Sequence, residues 1–273
     1  MPALLGIALL ILYSLAFVVQ EQRRVSRSDR LESNLPASLY RVASGYLQQL
    51  TAEILFIKTS VFLGGLQPGV PPASYEAALG NNFEVMTQLY PRFKDPYFFC
   101  QGFLSPISKE AAAKASGIFA TGVQAYPADF VLRLFYGSNF SLGMNDYQKA
   151  AHAFAEAAQL PDAPPLFGHL AALFSAQEGN IAAGLLSLQT LLSTEKDEEL
   201  RARYAEEIRV FEQALAVQQA IAAYTRQHGL APHTLEQLVP DFVPQLPGEH
   251  GPFILVYEPP RLLLKRPDKR KTQ

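Results

Sequence analysis

The chain has 273 residues, of which 49% are hydrophobic and 18% charged, with a formal net charge of −2. That balance fits one or two globular domains plus an appendage, and it lacks the basic excess that a nucleic-acid surface needs, so no nucleic acid is expected as a partner. One cysteine and no tryptophan exclude an internal disulfide and leave the redox compartment open.

Pro2 to Gln20 carries no charge, and Ala3 to Val19 is almost entirely apolar. About 20 such residues cross a bilayer as a helix, so residues 1–22 read as a transmembrane anchor. A signal peptide cleaved after Ala16 and a buried core helix are the alternatives; the absence of a positive n-region favours the anchor. Residues 23–36 read as a linker, and its Arg23, Arg24, Arg27 and Arg30 place the following domain in the cytoplasm by the positive-inside rule.

Pro36 permits a helix start, after which Leu39, Val42, Ala43, Tyr46, Leu47, Leu50, Ile54, Ile57, Val61 and Phe62 recur at helical spacing. Glu53 interrupts that face, read as an edge carboxylate paired with Lys58 or as a buried functional acid. Gly64-Gly65 and the proline-rich stretch from Gln67 to Pro72 end the helix. A second helix is expected over Ala73 to Leu89, followed by Asp95-Pro96-Tyr97-Phe98-Phe99-Cys100, an aromatic packing cluster in which Cys100 is a small buried hydrophobe.

From Phe83 to Gly179 a proline returns at a nearly fixed interval: Pro91, Pro127 and Pro161, preceded by Tyr90, Tyr126 and Leu160. Phe83, Phe119 and, one residue out of step, Phe154 stand at the matching places ahead of them. In the unit from Phe130 to Pro161, Leu142-Gly143 ends a first helix, Asp146-Tyr147 opens the turn, and Ala150, Phe154 and Ala157 share one face of the second helix. This unit resembles a tetratricopeptide repeat, with Met144 and Asn145 added to the turn and Tyr136 where that family has glycine. The unit from Ala163 to Ser193 keeps Gly179-Asn180 at its turn but carries Gly184 and Leu188 for the alanine and aromatic; the unit from Asp95 to Pro127 keeps Ala115 and Phe119. Three degenerate repeats make a helical domain over 37–227.

The segment Gly45 to Lys58 ending in Phe62-Leu63-Gly64-Gly65, with Tyr90-Pro91-Arg92-Phe93 and Pro96-Tyr97, is similar to uncharacterised bacterial tetratricopeptide proteins with an amino-terminal hydrophobic segment. That resemblance implies a single-pass inner-membrane protein displayed in the periplasm, the opposite side from the one the arginines indicate. Thr194 to Gln227 forms a long closing helix, begun by Glu195-Lys196-Asp197-Glu198-Glu199 and carrying Tyr204, Ile208, Phe211, Leu215 and Ile221 on one face.

Residues 228–265 change character. His228-Gly229 is a helix stop, Pro232 to Val239 reads as a short helix, and Phe253 to Tyr257 with Arg261 to Lys265 read as two strands about Pro259-Pro260. The run from Ala222 through Gly229-Leu230-Ala231-Pro232 to Pro247 and the hairpin resembles the post-helix part of type II secretion pseudopilins, which implies a docking or capping element. Residues 266–273 read as a disordered tail. The fold class is therefore mostly α: an amino-terminal transmembrane helix, a tetratricopeptide-like solenoid and a small carboxy-terminal element with a β-hairpin.

No phosphate-binding loop, nucleophile elbow, His-Glu-x-x-His or Cys-x-x-Cys-His occurs. His228, His233 and His250 flank turns and are the one conceivable metal clasp, though turn histidines are commonly solvated. No cofactor or metal is expected. The function expected is a non-enzymatic scaffold that binds other proteins and is held at the membrane by its first helix. An accessory subunit of a secretion or pilus machine and an envelope enzyme subunit are the alternatives; the sequence assigns no partner identity or oligomeric state. Repeat register aims Arg133, Phe140, Ser141, His169, Leu173 and Gln177 into a groove lined by the first helices of the pairs.

Overall fold

The computed structural model describes residue 31 and residues 35–66, 68–248 and 252–267. The expected anchor over 1–22, the arginine-rich linker up to residue 30 and His250 lie outside the described residues. Among the described residues no helix is long and apolar enough to cross a membrane. The chain is mostly helical, with a two-stranded antiparallel sheet near its carboxyl end. It divides into two compact units, residues 1–96 and 97–273.

In the first unit, α1 (Ala37–Ser44) and α2 (Gln48–Gly64) are separate helices, joined by a 3-10 turn over Gly45–Leu47. Gly45 has φ 49, a left-handed value that ends α1 where the sequence suggested one uninterrupted helix. A 3-10 turn at Pro72–Ser74 leads into α3 (Glu76–Leu89), which packs on α2. The face of α2 that meets this core carries Ala52, Leu55, Thr59, Phe62 and Leu63. Of the apolar series read from the sequence, Phe62 is buried, whereas Leu39, Val42, Tyr46, Leu47, Leu50, Ile54, Ile57 and Val61 are exposed. The periodicity is real, but most of it lies on the side away from α3.

The second unit is a run of helices, each packed on its sequence neighbour. It comprises α4 (Asp95–Phe99), α5 (Lys109–Ala125), α6 (Phe130–Ser138), α7 (Tyr147–Ala158), α8 (Pro165–Gln177), α9 (Ile181–Thr194) and α10 (Glu198–His228). Local chemistry fixes the starts: Ser108, Asp129, Asp146, Asn180 and Asp197 each accept a backbone N–H from the first turn of α5, α6, α7, α9 and α10 respectively. Gly179 (φ 84) and Gly229 (φ 78) supply the left-handed residues that stop α8 and α10. Both α4 and α6 run on into π-helical turns, Cys100–Leu104 and Asn139–Gly143. Cys100 is fully buried, and burial raises its thiol pKa far above the usual range.

Packing follows the alanine and aromatic pattern. Ala150, Phe154 and Ala157 are wholly buried on α7, as are Ala115 and Phe119 on α5 and Leu188 on α9. The close approach between α6 and α7 falls at Gly137, one position beyond Tyr136. A Cβ on Gly137 would lie 2.6 Å from the Phe154 ring. Behind that ring, Phe167 and Phe174 stack at centroid distances of 6.1 and 5.8 Å. Gly184 plays the same part for α9: its Cβ would meet the Phe211 ring at 2.6 Å and the Ala172 carbonyl oxygen at 2.8 Å.

The carboxy-terminal module is a 3-10 turn at Leu235–Leu238 followed by β1 (Ile254–Glu258) and β2 (Arg261–Lys265), with Leu255 opposite Leu264 and Tyr257 opposite Leu262. The short helix expected over Pro232 to Val239 is reduced to that one turn. Leu238, Phe253, Leu262 and Leu264 join Ala172, Leu173, Phe211 and Val217 in one core. The hairpin is thus part of the helical unit's interior, closing it at α8 and α10.

Candidate interaction groove

The face of α8 predicted to be open is the face that the chain covers. His169 and Leu173 are buried against α10, and Gln177 Oε1 is enclosed with no hydrogen-bond partner among the described residues. Phe140 and Ser141 are buried in the π-helical turn after α6. Arg133 is half-buried, its Nε donating to the Pro127 carbonyl oxygen at 3.2 Å. The six residues do not line a common groove: four are buried and the other two lie on different helices.

His169 is held by a partner that the sequence did not indicate. Its Nε2 lies 2.7 Å from Oε2 of Glu207, which is 2% exposed in the middle of α10. Arg203 Nε donates to the other carboxylate oxygen at 3.3 Å, and an Arg266 guanidinium nitrogen stands 3.7 Å from it. Burial pushes the Glu207 carboxyl pKa up, but the hydrogen bond and charge of His169, joined by Arg203, more than offset this and hold it below the ordinary range. A second buried network lies between the two π-helical turns. Asn139 Nδ2 donates to the Ala112 carbonyl oxygen at 2.8 Å and to Ser116 Oγ at 2.7 Å, while Ser105 Oγ donates to Asn139 Oδ1. Every polar group of that network has a protein partner, as a structural cross-link requires.

A further face of α8 borders two surface hollows: one lies beside buried Gly168 and Ala171, between Ala155 and Ala158 of α7 and Leu186, Ser187, Thr190 and Leu191 of α9, and the other beside half-buried Ser175 and Glu178, against Gln148, Ala151 and Ala155 of α7. The two hollows, of about 430 and 400 Å³, have Ala155 in common in their linings. The first is mostly apolar, with Ala163, Pro164 and Pro165; the second is mostly polar, with His152, Asn180 and Arg261. Arg261 of β2 is held at the polar hollow by Glu178, donating to its carboxylate at 3.0 Å and its carbonyl oxygen at 3.1 Å.

Near the hairpin a further hollow of about 640 Å³ is lined by His233, Glu236, Leu246, Leu255 and Tyr257 among others. His228 is 4.3 Å from the Tyr224 ring, centroid to centroid, and also packs on Phe242. Among the described residues no group of three metal-binding side chains converges. No family model, no curated protein and no solved structure matches the chain.

Proposed function

We propose that the chain is a non-enzymatic scaffold of the bacterial envelope, a tetratricopeptide-like solenoid that holds an extended segment of another protein in a groove made of the two hollows beside α8. The observation that carries this reading is the pair of neighbouring hollows on α8, one mostly apolar and one mostly polar, with Ala155 in the lining of both. With 13 residues, α8 is about 20 Å long, the span of roughly six residues of extended chain. Apolar side chains of such a segment fit the hollow at Ala158, Pro164 and Leu191, while its backbone and polar groups face Gln148, His152 and Asn180. The tether in this reading is Pro2 to Gln20, from its apolar length. The resemblance carried by Gly45 to Lys58 and Phe62 to Gly65 favours the periplasmic side. The packing of Leu262 and Leu264 into the helical core supports a capping role for the hairpin over a docking one.

The test is site-specific photo-crosslinking in cells from Ala155 and Thr190, which line the groove, and from Gln189, which is exposed but outside it. The expected result is one discrete polypeptide adduct from the two groove positions, lost when Ser187→Trp fills the apolar hollow with the melting temperature unchanged. The same adduct from Gln189, or one that persists in Ser187→Trp, refutes the reading.

A further inference from the structure

Helix α2 is apolar on two opposite sides, and the fold covers only one of them. Ala52, Leu55, Thr59 and Phe62 face α3. Directly opposite stand Leu50, Ile54, Ile57 and Val61, with Leu47 in the 3-10 turn just before the helix, all between 44% and 70% exposed. A helix that is apolar all round is stable in water only when all of it is covered. The spacing of the open side is three, four, three and four residues, the heptad repeat of a two-stranded coiled coil. With Ile54 and Val61 at the a positions, Leu50 and Ile57 at d, and Leu47 continuing the a series just before the helix, the seam is wholly aliphatic, and its composition does not by itself choose the orientation of the partner.

The flanking charges point to a parallel one. In this register Glu53 is a g position and Lys58 the e position five residues later, the two places that meet across a parallel interface. Glu53 is half-buried and accepts from Gln49 Nε2 at 2.9 Å, and Lys58 is exposed. Among the described residues Lys58 forms no ion pair. In an antiparallel pair g positions flank g positions and e positions flank e positions, so Glu53 and Lys58 are not brought together across the seam.

We propose that α2 is the interface of a parallel homodimer, its seam formed by Leu47, Leu50, Ile54, Ile57 and Val61 and its orientation set by Glu53 of each copy against Lys58 of the other. Two heptads make a short seam, and the exposed Leu39, Val42 and Tyr46 lengthen the apolar surface beside it. Association is therefore concentration-dependent. The proposal is independent of the α8 groove.

Thiol cross-linking of the full chain in native membranes tests it, with the unmodified chain and its buried Cys100 as background. Leu50→Cys and Ile57→Cys are expected to give disulfide dimers several-fold above Gln49→Cys, which lies off the seam. An antiparallel pair centred on Ile54 sets Ile57 against Thr51, so strong cross-linking at Ile54→Cys with none at Leu50→Cys or Ile57→Cys overturns the parallel arrangement. In the Ile57→Cys background, Glu53→Lys alone and Lys58→Glu alone are expected to lower the yield several-fold, and the two changes in one chain to restore it. Mixing the two single variants is expected to give preferential heterodimers. Equal cross-linking at Gln49→Cys and Ile57→Cys overturns the proposal. So does quenching by nitroxide lipids, in phosphatidylglycerol vesicles, of a dye attached through Ile57→Cys, because a bilayer then covers the face.

Discussion

Phe154 and Gly137 form a lock whose two halves should fail in opposite ways. Phe154 is 0% exposed, and its ring is backed by Phe167 and Phe174, so truncation to alanine leaves a void that neighbouring rings cannot fill without leaving their stack. The expected cost is about 3–5 kcal/mol. In the intact protein Gly137→Ala adds a methyl 2.6 Å from that same ring. The ring has no free side to retreat to, and overpacking of this kind costs about 1–3 kcal/mol, against roughly 1 kcal/mol gained from better helix propensity. Once Phe154→Ala has emptied the site, the clash disappears and the propensity gain remains. Gly137→Ala should therefore destabilise the parent and stabilise the Phe154→Ala background. Urea unfolding of the four proteins of the cycle, followed by far-ultraviolet circular dichroism, measures the coupling. Its expected size is about 1–3 kcal/mol, and additivity within about 0.5 kcal/mol would refute the packing argument.

Two further outcomes follow from the second unit. The Glu207 carboxyl is held below its unfolded value of about 4.3, so the stability it contributes is fully present above that pH and is lost as pH falls through the folded value. Glu207→Gln should therefore flatten the acid limb of the stability profile below about pH 4 relative to the parent, as urea titrations at stepped pH would show; an unchanged acid slope would count against the pairing. Leu264→Ala, on the inner face of the hairpin, should cost about 2–5 kcal/mol and lower the melting temperature of the helical unit, whereas truncation of exposed Leu230 should change it by no more than about 0.5 kcal/mol. A melt in which the hairpin comes off separately and leaves the helical transition unmoved would contradict the shared core.

What the sequence made legible was local. The acidic run that contains Asp197 marked the start of α10, whereas the same capping by Asp129 and Asp146, a short carboxylate reaching the N–H groups of the next turn, was found only in the structure. The two strands about Pro259-Pro260 were legible as well, and the buried faces of α7 and α10 came from single-sided apolar spacing. The groove did not. Helix α8 sends Phe167 and Ala171 into one core cluster and Ala172, Leu173 and Ala176 into another, so hydrophobicity gave no direction. His169 looked like an outward polar residue because its partner, Glu207, lies 38 positions away. Glu207 itself was hidden in a helix rich in glutamates, where nothing in its spacing separates the buried one from its solvated neighbours. The open side of α2 was legible as a periodic face, but periodicity cannot say which of two apolar sides the same chain will cover.

The hairpin's place in the core has a consequence for the order of events at the ribosome. Glu178 and Arg261 are 83 residues apart, and the strand that carries Arg261 also supplies Leu262 and Leu264 to the surface of α8 and α10. At about 5–20 residues per second, roughly 4–17 s of translation separate the two halves of that contact. During this interval α8 and α9 have left the tunnel with part of their apolar surface uncovered. A nascent chain stalled or cut short before Leu262 is thus a client for holding chaperones and proteases, and completion of the last strand withdraws the signal they recognise.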